Sequence, residues 1–361
     1  MKNFFVDEDI TKATTLHTDF YSTDEAFELS KEKIFSHSWQ FAGDVDEVKL
    51  PGQLVPRTLL PGFLDEPVLL SRSKEDELHC LSNVCTHRGN ILVENSCIEN
   101  QIRCRYHGRR FGMNGKFKHM PEFEGVQNFP SEKDDLVKIP MGQWGPWLFA
   151  STHPKMMLDE ALGEMQKRLS FLPLHNFKKI SIQTRDYLVK AHWALYCENY
   201  LEGFHIPFVH ADLNAVIDYG TYTTELFRYG SLQLALSKGG DFVFELPADS
   251  PDFGKEVAAY YYWIFPNLMF NFYPWGLSMN VVKPINKQLT KISFVTYLMD
   301  ESKWNSNAAH MLDKVEREDE AIVENVQLGI HSRFYTGGRY SPKRETGTHH
   351  FHRLIAEFMN Y

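Results

Sequence analysis

Two mixed cysteine–histidine pairs lie close together in the first third of the chain, and they restrict it more than any other feature. The first pair is Cys85-Thr86-His87 and the second is Cys104-Arg105-Tyr106-His107. Each supplies one thiolate and one imidazole. A two-iron cluster with two cysteines on one iron and two histidines on the other requires that set. Neutral imidazoles replace two anionic thiolates in such a cluster, so it accepts an electron more readily than an all-cysteine one. Gly89 follows the first pair, and Gly108 and Gly112 follow the second, as two tight loops over a cluster would need.

Two Cys and two His also suit a structural zinc. Zinc motifs, however, pair Cys with Cys and His with His at a spacing of roughly two to five residues. Here each loop is mixed, and one residue separates the first pair. The C-x-H and C-x-x-H pairs resemble the ligand loops of Rieske proteins at every ligand position.

The 361 residues suffice for two domains of ordinary size. There are 38 Lys+Arg against 47 Asp+Glu and no basic stripe, which argues against nucleic acid as a partner. Met1 to Ile10 hold no basic segment followed by an apolar run, so no signal peptide is read there. The most apolar window, Tyr260 to Leu277, is interrupted by Pro266, Asn267, Asn271 and Pro274. It reads as strands, and no membrane span is expected. Five cysteines without an export signal point to a reducing cytoplasm. Cys80, Cys97 and Cys197 are expected to be small buried apolar residues.

Ser22 and Glu25 form a capping-box pattern for a helix running through Phe35. From Trp39 to about Ser151, short apolar runs alternate with Gly, Pro and Asp, which predicts an all-β module holding both pairs. Helices are expected at Met156–Leu172, Trp193–Phe204 and Asn307–Ile330. Strands are expected at Ile180–Thr184, Ala258–Phe265, Leu268–Tyr273, Met279–Lys283 and Lys291–Tyr297. Strands in a run with helices set apart from them predict an antiparallel α+β domain. The expected organisation is an N-terminal helical segment over 1–38, a cluster domain over 39–152 and a catalytic domain over 153–361.

A second constellation spans Asn199 to His210. Asn199, Glu202 and His205 recur every third residue and predict one helical stripe. Pro207 is expected to end that helix, and His210 returns from the loop beyond it. Two such histidines can converge on one ion, yet alone they are as often core or surface residues. An oxygen-activating mononuclear iron needs two His, a carboxylate and open positions. In the late helix, Ala308, Leu312, Val315, Ile322, Val326 and Ile330 predict a buried stripe that includes Asp319. Glu316, Glu318 and Glu320 are expected to face water. A carboxylate on a buried face needs a metal or a cationic partner, and this helix alone leaves both readings open.

Together these residues resemble the α subunit of Rieske non-haem iron oxygenases over nearly the whole chain. Asn199, Glu202, His205 and His210 match the family's N-x-x-[D/E]-x-x-H-x-x-x-x-H pattern. Glu318-Asp319 and Gln327 match its third-ligand helix, which implies His205, His210 and Asp319 as ligands of a mononuclear Fe(II). Cys85, His87, Cys104 and His107 are the implied ligands of one [2Fe-2S] cluster. The resemblance implies a helix-grip catalytic domain and a head-to-tail homotrimer. In that trimer Glu202 would join His107 of one subunit to His205 of the next. Many aromatic-ring members carry Asp at that position, so Glu is a departure.

That departure, with Gly338-Arg339-Tyr340-Ser341-Pro342 and His349-His350-Phe351-His352, resembles the quaternary-ammonium branch of choline, glycine betaine, stachydrine and carnitine oxygenases. Such substrates have no N–H to donate, so aromatic faces and a counter-charge must recognise them. Nine aromatic residues between Tyr260 and Trp275 are candidates, although strand alternation would send only half of them inward. His349, His350 and His352 are read as packing and hydrogen-bonding residues, not as a metal tract. Electrons must come from outside, because the chain shows no Gly-rich phosphate loop and no second cluster motif. A separate flavin-dependent NAD(P)H reductase is implied, with or without its own ferredoxin centre, together with O2 and a small organic substrate. An aromatic-ring dioxygenase is the alternative, an electron carrier without oxygen chemistry the remote one, and a zinc-stapled binding module a third reading.

Overall fold

In the computed structural model, residues 3–181, 184–239, 243–304 and 306–361 are described, without the side chains of 216 and 306–312. Two units result, Ser36–Lys155 and Met1–Phe35 with Met156–Tyr361.

The first unit consists of short strands and turns: β1 (Gln40–Asp44), β2 (Gln53–Leu59), β3 (Glu66–Arg72), β4 (Leu78–Ser82), β5 (Cys97–Ile98), β6 (Ile102–Arg103), β7 (Arg110–Phe111), β8 (Phe117–His119), β9 (Met141–Trp144) and β10 (Trp147–Ala150). They form sheets in the orders β4-β3-β2-β5, β6-β7-β8 and β1-β10-β9. Strand β3 is buried on both faces. Val68 and Leu70 pack with Val55, Cys80 and Leu148, whereas Leu69 points into a second cluster with Leu81, Ile102 and Phe111. Cys85 and Cys104 belong to that second cluster.

The second unit begins with helices α1 (Asp19–Ser22) and α2 (Asp24–Ser30), the latter continued by a π turn over Lys31–Phe35. The cap of α2 is Thr23, whose side chain accepts from the Ala26 N–H, and Ser22 instead closes α1. Helix α3 (Leu158–Arg168) is shorter than expected at both ends. An eight-stranded antiparallel sheet follows, from β11 (Lys178–Lys179), β12 (Arg185–Val189), β13 (Thr223–Phe227), β14 (Gly230–Leu236), β15 (Val257–Ile264), β16 (Leu268–Tyr273), β17 (Gly276–Asn286) and β18 (Leu289–Leu298). The strand expected at Ile180–Thr184 falls in part on residues 182 and 183, outside the described set, and the pairing segments flank it as β11 and β12.

Register sorts the aromatic residues. Gln233, Tyr261, Asn271 and Ser278 form one cross-strand row over β14 to β17. Tyr260, Tyr262, Phe270 and Phe272 point to the other face and are fully buried there.

The remaining helices are α4 (Trp193–Tyr200), α5 (Ile206–Val209), α6 (Ala211–Val216), α7 (Ser306–Ile330) and α8 (Thr346–Asn360). The α8 histidines act as packing residues. His349 bonds the Asp7 carbonyl, His350 the Phe227 carbonyl, and buried His352 meets Tyr340 and Glu198. No described helix is long and apolar enough to cross a membrane.

Candidate metal centres and active-site cavity

Helix α4 is fixed at both ends. Its N-cap, His192, is fully buried, and burial lowers its pKa to about 3, so the neutral ring caps the Ala194 N–H. At the other end the chain leaves the helix at Leu201. Three hydrogen bonds then lock α7 onto this segment. The N–H of Lys190 donates to Glu324, that of His192 to Gln327, and the Tyr196 hydroxyl to Glu316 at 2.7 Å. This registration sets the height of Asp319 on α7.

Because α4 ends at Tyr200, Glu202 and His205 do not share a helical stripe with Asn199. They occupy a turn, and Pro207 lies in the first turn of α5 instead of ending a helix. The Glu202 carboxylate holds the turn by accepting from the N–H groups of Phe204 and His205. Gly203 is required beside it, since a Cβ there would come within 2.6 Å of the Tyr222 ring.

His205, His210 and Asp319 come together, with one donor atom from each lying within 4.8 Å of the others. Asp319 Oδ1 is 3.0 Å from His210 Nε2 and 3.5 Å from His205 Nε2. The opposite ring nitrogens are both held by carboxylates: His205 Nδ1 by Glu202 and His210 Nδ1 by Glu318, each at 2.7 Å. Such partners fix ring orientation and leave Nε2 for a metal. Burial alone would lower the pKa of His210; Asp319 and Glu318 outweigh it and hold it above the ordinary value.

The buried face of α7 differs from the expected stripe. Ile322 and Val326 are exposed, while Glu316, Val323, Gln327 and Ile330 are buried. The side chains of Ala308 and Leu312 lie outside the described residues. Glu316 is only 5% exposed and does not face water, while Glu318 is half-buried and bonded to His210. Glu320 is half-buried against Arg317. The apolar period misled because this helix buries acids against α4 and the histidines. Glu316 stands three residues before Asp319, and that spacing is the signal by which it could have been found.

A cavity of about 350 Å³ opens on the three donors. The row Gln233, Tyr261, Asn271 and Ser278 lines it, with Asn199, Glu316, Tyr222, Tyr273 and Trp275. Of the nine aromatic candidates, only Tyr261, Tyr273 and Trp275 reach it. Tyr273 stacks on Trp275 at 5.0 Å and meets Tyr261 edge-on.

In the other unit the two Cys–His loops share one hydrogen-bond frame. Cys85 N–H donates to the Asn90 carbonyl and Gly89 N–H to the Cys85 carbonyl. Cys104, Arg109 and Gly108 repeat this frame. Gly89 and Gly108 both have positive φ, at 71° and 76°, whereas Gly112 does not. Asp134 ties the loops together, its carbonyl accepting from Thr86 and its carboxylate from buried Arg109 at 2.6 Å. Cys85 and Cys104 are buried and the His87 and His107 rings lie 4.8 Å apart. His87 Nδ1 is buried with no hydrogen-bond partner among the described residues. Burial raises the Cys85 pKa. Of the other cysteines, Cys80 and Cys197 are buried, and Cys97 is half-buried against the same cluster.

The model of the ring-hydroxylating alpha subunit catalytic domain matches residues 174–361, and that of the Rieske [2Fe-2S] domain matches 38–130. The chain belongs to the ring-hydroxylating alpha subunit family. It is therefore an oxidoreductase that uses O2, with a Rieske [2Fe-2S] cluster and a mononuclear iron. Family members need a reductase and act on small substrates. Choline monooxygenase of Arabidopsis thaliana is 29% identical over 96% of this chain and 83% of its own length. The carnitine monooxygenase oxygenase subunit of Escherichia coli K12 is 28% identical over 96% and 94%. The quaternary ammonium Rieske monooxygenase CntA with L-carnitine shares the fold, with a TM-score of 0.76, 22% identity and 97% of each chain covered. Naphthalene 1,2-dioxygenase with indole bound shares it too, at a TM-score of 0.71, 17% identity and 96% and 92% coverage.

The donors present fit both groups. An unpartnered imidazole nitrogen beside two buried thiols suits the cluster. Two Nε2 atoms and a carboxylate around one point suit a mononuclear iron with open positions.

Proposed function

We propose that this chain is the oxygenase component of a system that hydroxylates a small quaternary ammonium compound. Cys85, His87, Cys104 and His107, in the domain over 39–152, would hold the cluster. His205, His210 and Asp319, in the domain over 153–361, would hold the iron. When bound, the two centres supply electron storage and oxygen activation. The protein's own residues bind and orient the substrate, and Glu202 and Glu318 keep the two imidazoles in place. Asn199 lines the cavity beside them.

The observation that carries the substrate class is the cavity itself. Tyr222, Tyr261, Tyr273 and Trp275 line the same space as the three donors. Aromatic faces are what a permanent cation without N–H groups requires. Relatives named for choline and carnitine oxidation over 96% of the chain support the same class. Hydroxylation of an N-methyl carbon would give a hemiaminal that falls apart to a demethylated amine and formaldehyde. Hydroxylation of an alcohol carbon would give an aldehyde hydrate.

The electrons would come from a separate flavin-dependent NAD(P)H reductase, and the chain would work in the cytoplasm as a homotrimer. In that trimer Glu202 would join His205 to His107 of the next subunit. The test is O2 uptake by purified protein with reductase and NAD(P)H, over a panel of quaternary amines and arenes. Formaldehyde or aldehyde formed in step with O2 uptake supports the reading; an arene cis-diol as the coupled product overturns it. Light scattering checks the trimer.

A further inference from the structure

We infer that Glu316 is the counter-charge for the substrate's cationic nitrogen, and hence the residue that selects a charged quaternary ammonium over a neutral molecule of the same shape. The inference rests on the quaternary-ammonium reading above and assigns its specificity to one side chain.

Glu316 lies in the cavity wall, almost entirely buried. One carboxylate oxygen accepts from the Tyr196 hydroxyl at 2.7 Å. The other, Oε1, is buried and has no hydrogen-bond partner among the described residues. A buried carboxylate oxygen left unpaired is costly unless something in the cavity satisfies it. Gln233 shows the same feature from the sheet side. Its amide nitrogen donates to the Tyr200 carbonyl at 2.6 Å, and its Oε1 too lacks a partner among the described residues.

Glu316 and Gln233, each carrying an orphaned acceptor, therefore line one cavity with Tyr261, Tyr273 and Trp275. Both kinds of group attract positive charge. A quaternary ammonium donates no N–H, but its charge is spread over its methyl groups, which can lie against carboxylate oxygens and ring faces together. Burial, with Asp319 and Glu320 nearby, already works against a negative charge on Glu316. A cation in the cavity removes that penalty, whereas a neutral ligand cannot. The lysine in the cavity wall, Lys303, is directed to Glu245 and Asp300, and no described Lys or Arg forms an ion pair with Glu316.

The experiment uses the metal-loaded protein and measures equilibrium binding, not turnover. Choline, glycine betaine and L-carnitine are compared with their carbon isosteres, in which a tert-butyl group replaces the trimethylammonium. The variants are Glu316→Gln, which keeps an acceptor for Tyr196, and Glu316→Met, since an apolar side chain of similar size often replaces a buried charge without loss of stability. Iron content and thermal midpoint establish that each is folded, and either one suffices. Wild type should prefer the tightest cation over its isostere. The variants should lose that preference by about tenfold or more, with isostere affinity unchanged. If wild type prefers the cation and a folded variant keeps the full preference, Glu316 is not the counter-charge and the aromatic faces alone carry recognition. If wild type itself shows no preference, the quaternary-ammonium reading falls and this assignment with it.

Discussion

Glu318 Oε2 lies 2.7 Å from His210 Nδ1, on the side of the ring away from Asp319. The two acids are neighbours in sequence, yet one meets each nitrogen of the same imidazole. His210 is 1% exposed and Glu318 about a third, so the acid shields the ring from solvent while aiming it. Glu318→Ala should therefore lower iron affinity at the mononuclear site by roughly ten- to a hundredfold, the usual loss for such a partner. Iron titration of the apo protein measures this. Unchanged affinity would return Glu318 to the role of a surface acid.

Glu202 does two things at once. It closes the turn through the Phe204 and His205 N–H groups, and it holds His205 Nδ1 at 2.7 Å. Glu202→Gln can still accept at one oxygen, so both metals should stay bound. Electron transfer from the pre-reduced cluster to the iron should slow by about tenfold or more. Rapid-mixing absorbance of the cluster in single turnover reads this directly. A wild-type rate would exclude Glu202 from the electron path.

Much of this was legible in the chain. The Cys–His pairs and the positive-φ Gly89 and Gly108 follow from residue types at fixed spacing, whereas the meeting of Asp319 with His205 and His210 was implied by the family resemblance and left open by spacing alone. Strands β15 and β16 fall where their apolar runs place them. What misled was periodicity used without a partner. The three-residue repeat through Asn199, Glu202 and His205 looks helical, but α4 ends at Tyr200 and Glu202 itself builds the turn beyond. On α7, Ile322 and Val326 continue an apolar period and are exposed, while Glu316 breaks it and is buried. A helix that brings acids against the two histidines buries polar atoms, and hydrophobic pattern cannot mark them.

The stability of the second unit depends on an ion pair outside the cavity. Asp252 is fully buried and bonded twice by Arg168, through Nε and Nη2 at 2.8 Å each, and again by Lys255 and Tyr260. Without Asp252, Arg168 keeps Glu225 as a partner but loses its buried one, so Asp252→Ala should cost about 3 kcal/mol in urea unfolding, the low end for a broken buried pair. Burial would raise the Asp252 pKa, but Arg168 and Lys255 overcome it and hold the value below its ordinary 3.8. A depressed carboxylate stabilises the fold above its unfolded pKa, and that contribution fades as pH falls through the folded value. The gap between wild type and Asp252→Asn should thus be constant near neutrality and narrow only below pH 3.8. A gap that widens in acid would show that Asp252 is not held ionised.

The sharpest separation of roles concerns Asp319. Its Oδ1 faces Nε2 of both histidines, and no described Lys or Arg forms an ion pair with it. A buried salt-bridge reading would need such a cation. Asp319→Ala should therefore empty the mononuclear site and abolish oxygen incorporation, while the cluster, held by the other unit, keeps its absorption. Replacing one ligand should cost little in global stability compared with the several kcal/mol expected at Asp252, because no buried cation loses its partner. Glu320→Ala, which removes a contact with exposed Arg317, should leave iron content near wild type. Iron per folded chain, cluster absorbance and unfolding midpoint, measured on Asp319→Ala and Glu320→Ala together, resolve the question. Full mononuclear iron in folded Asp319→Ala would remove it from the ligand set.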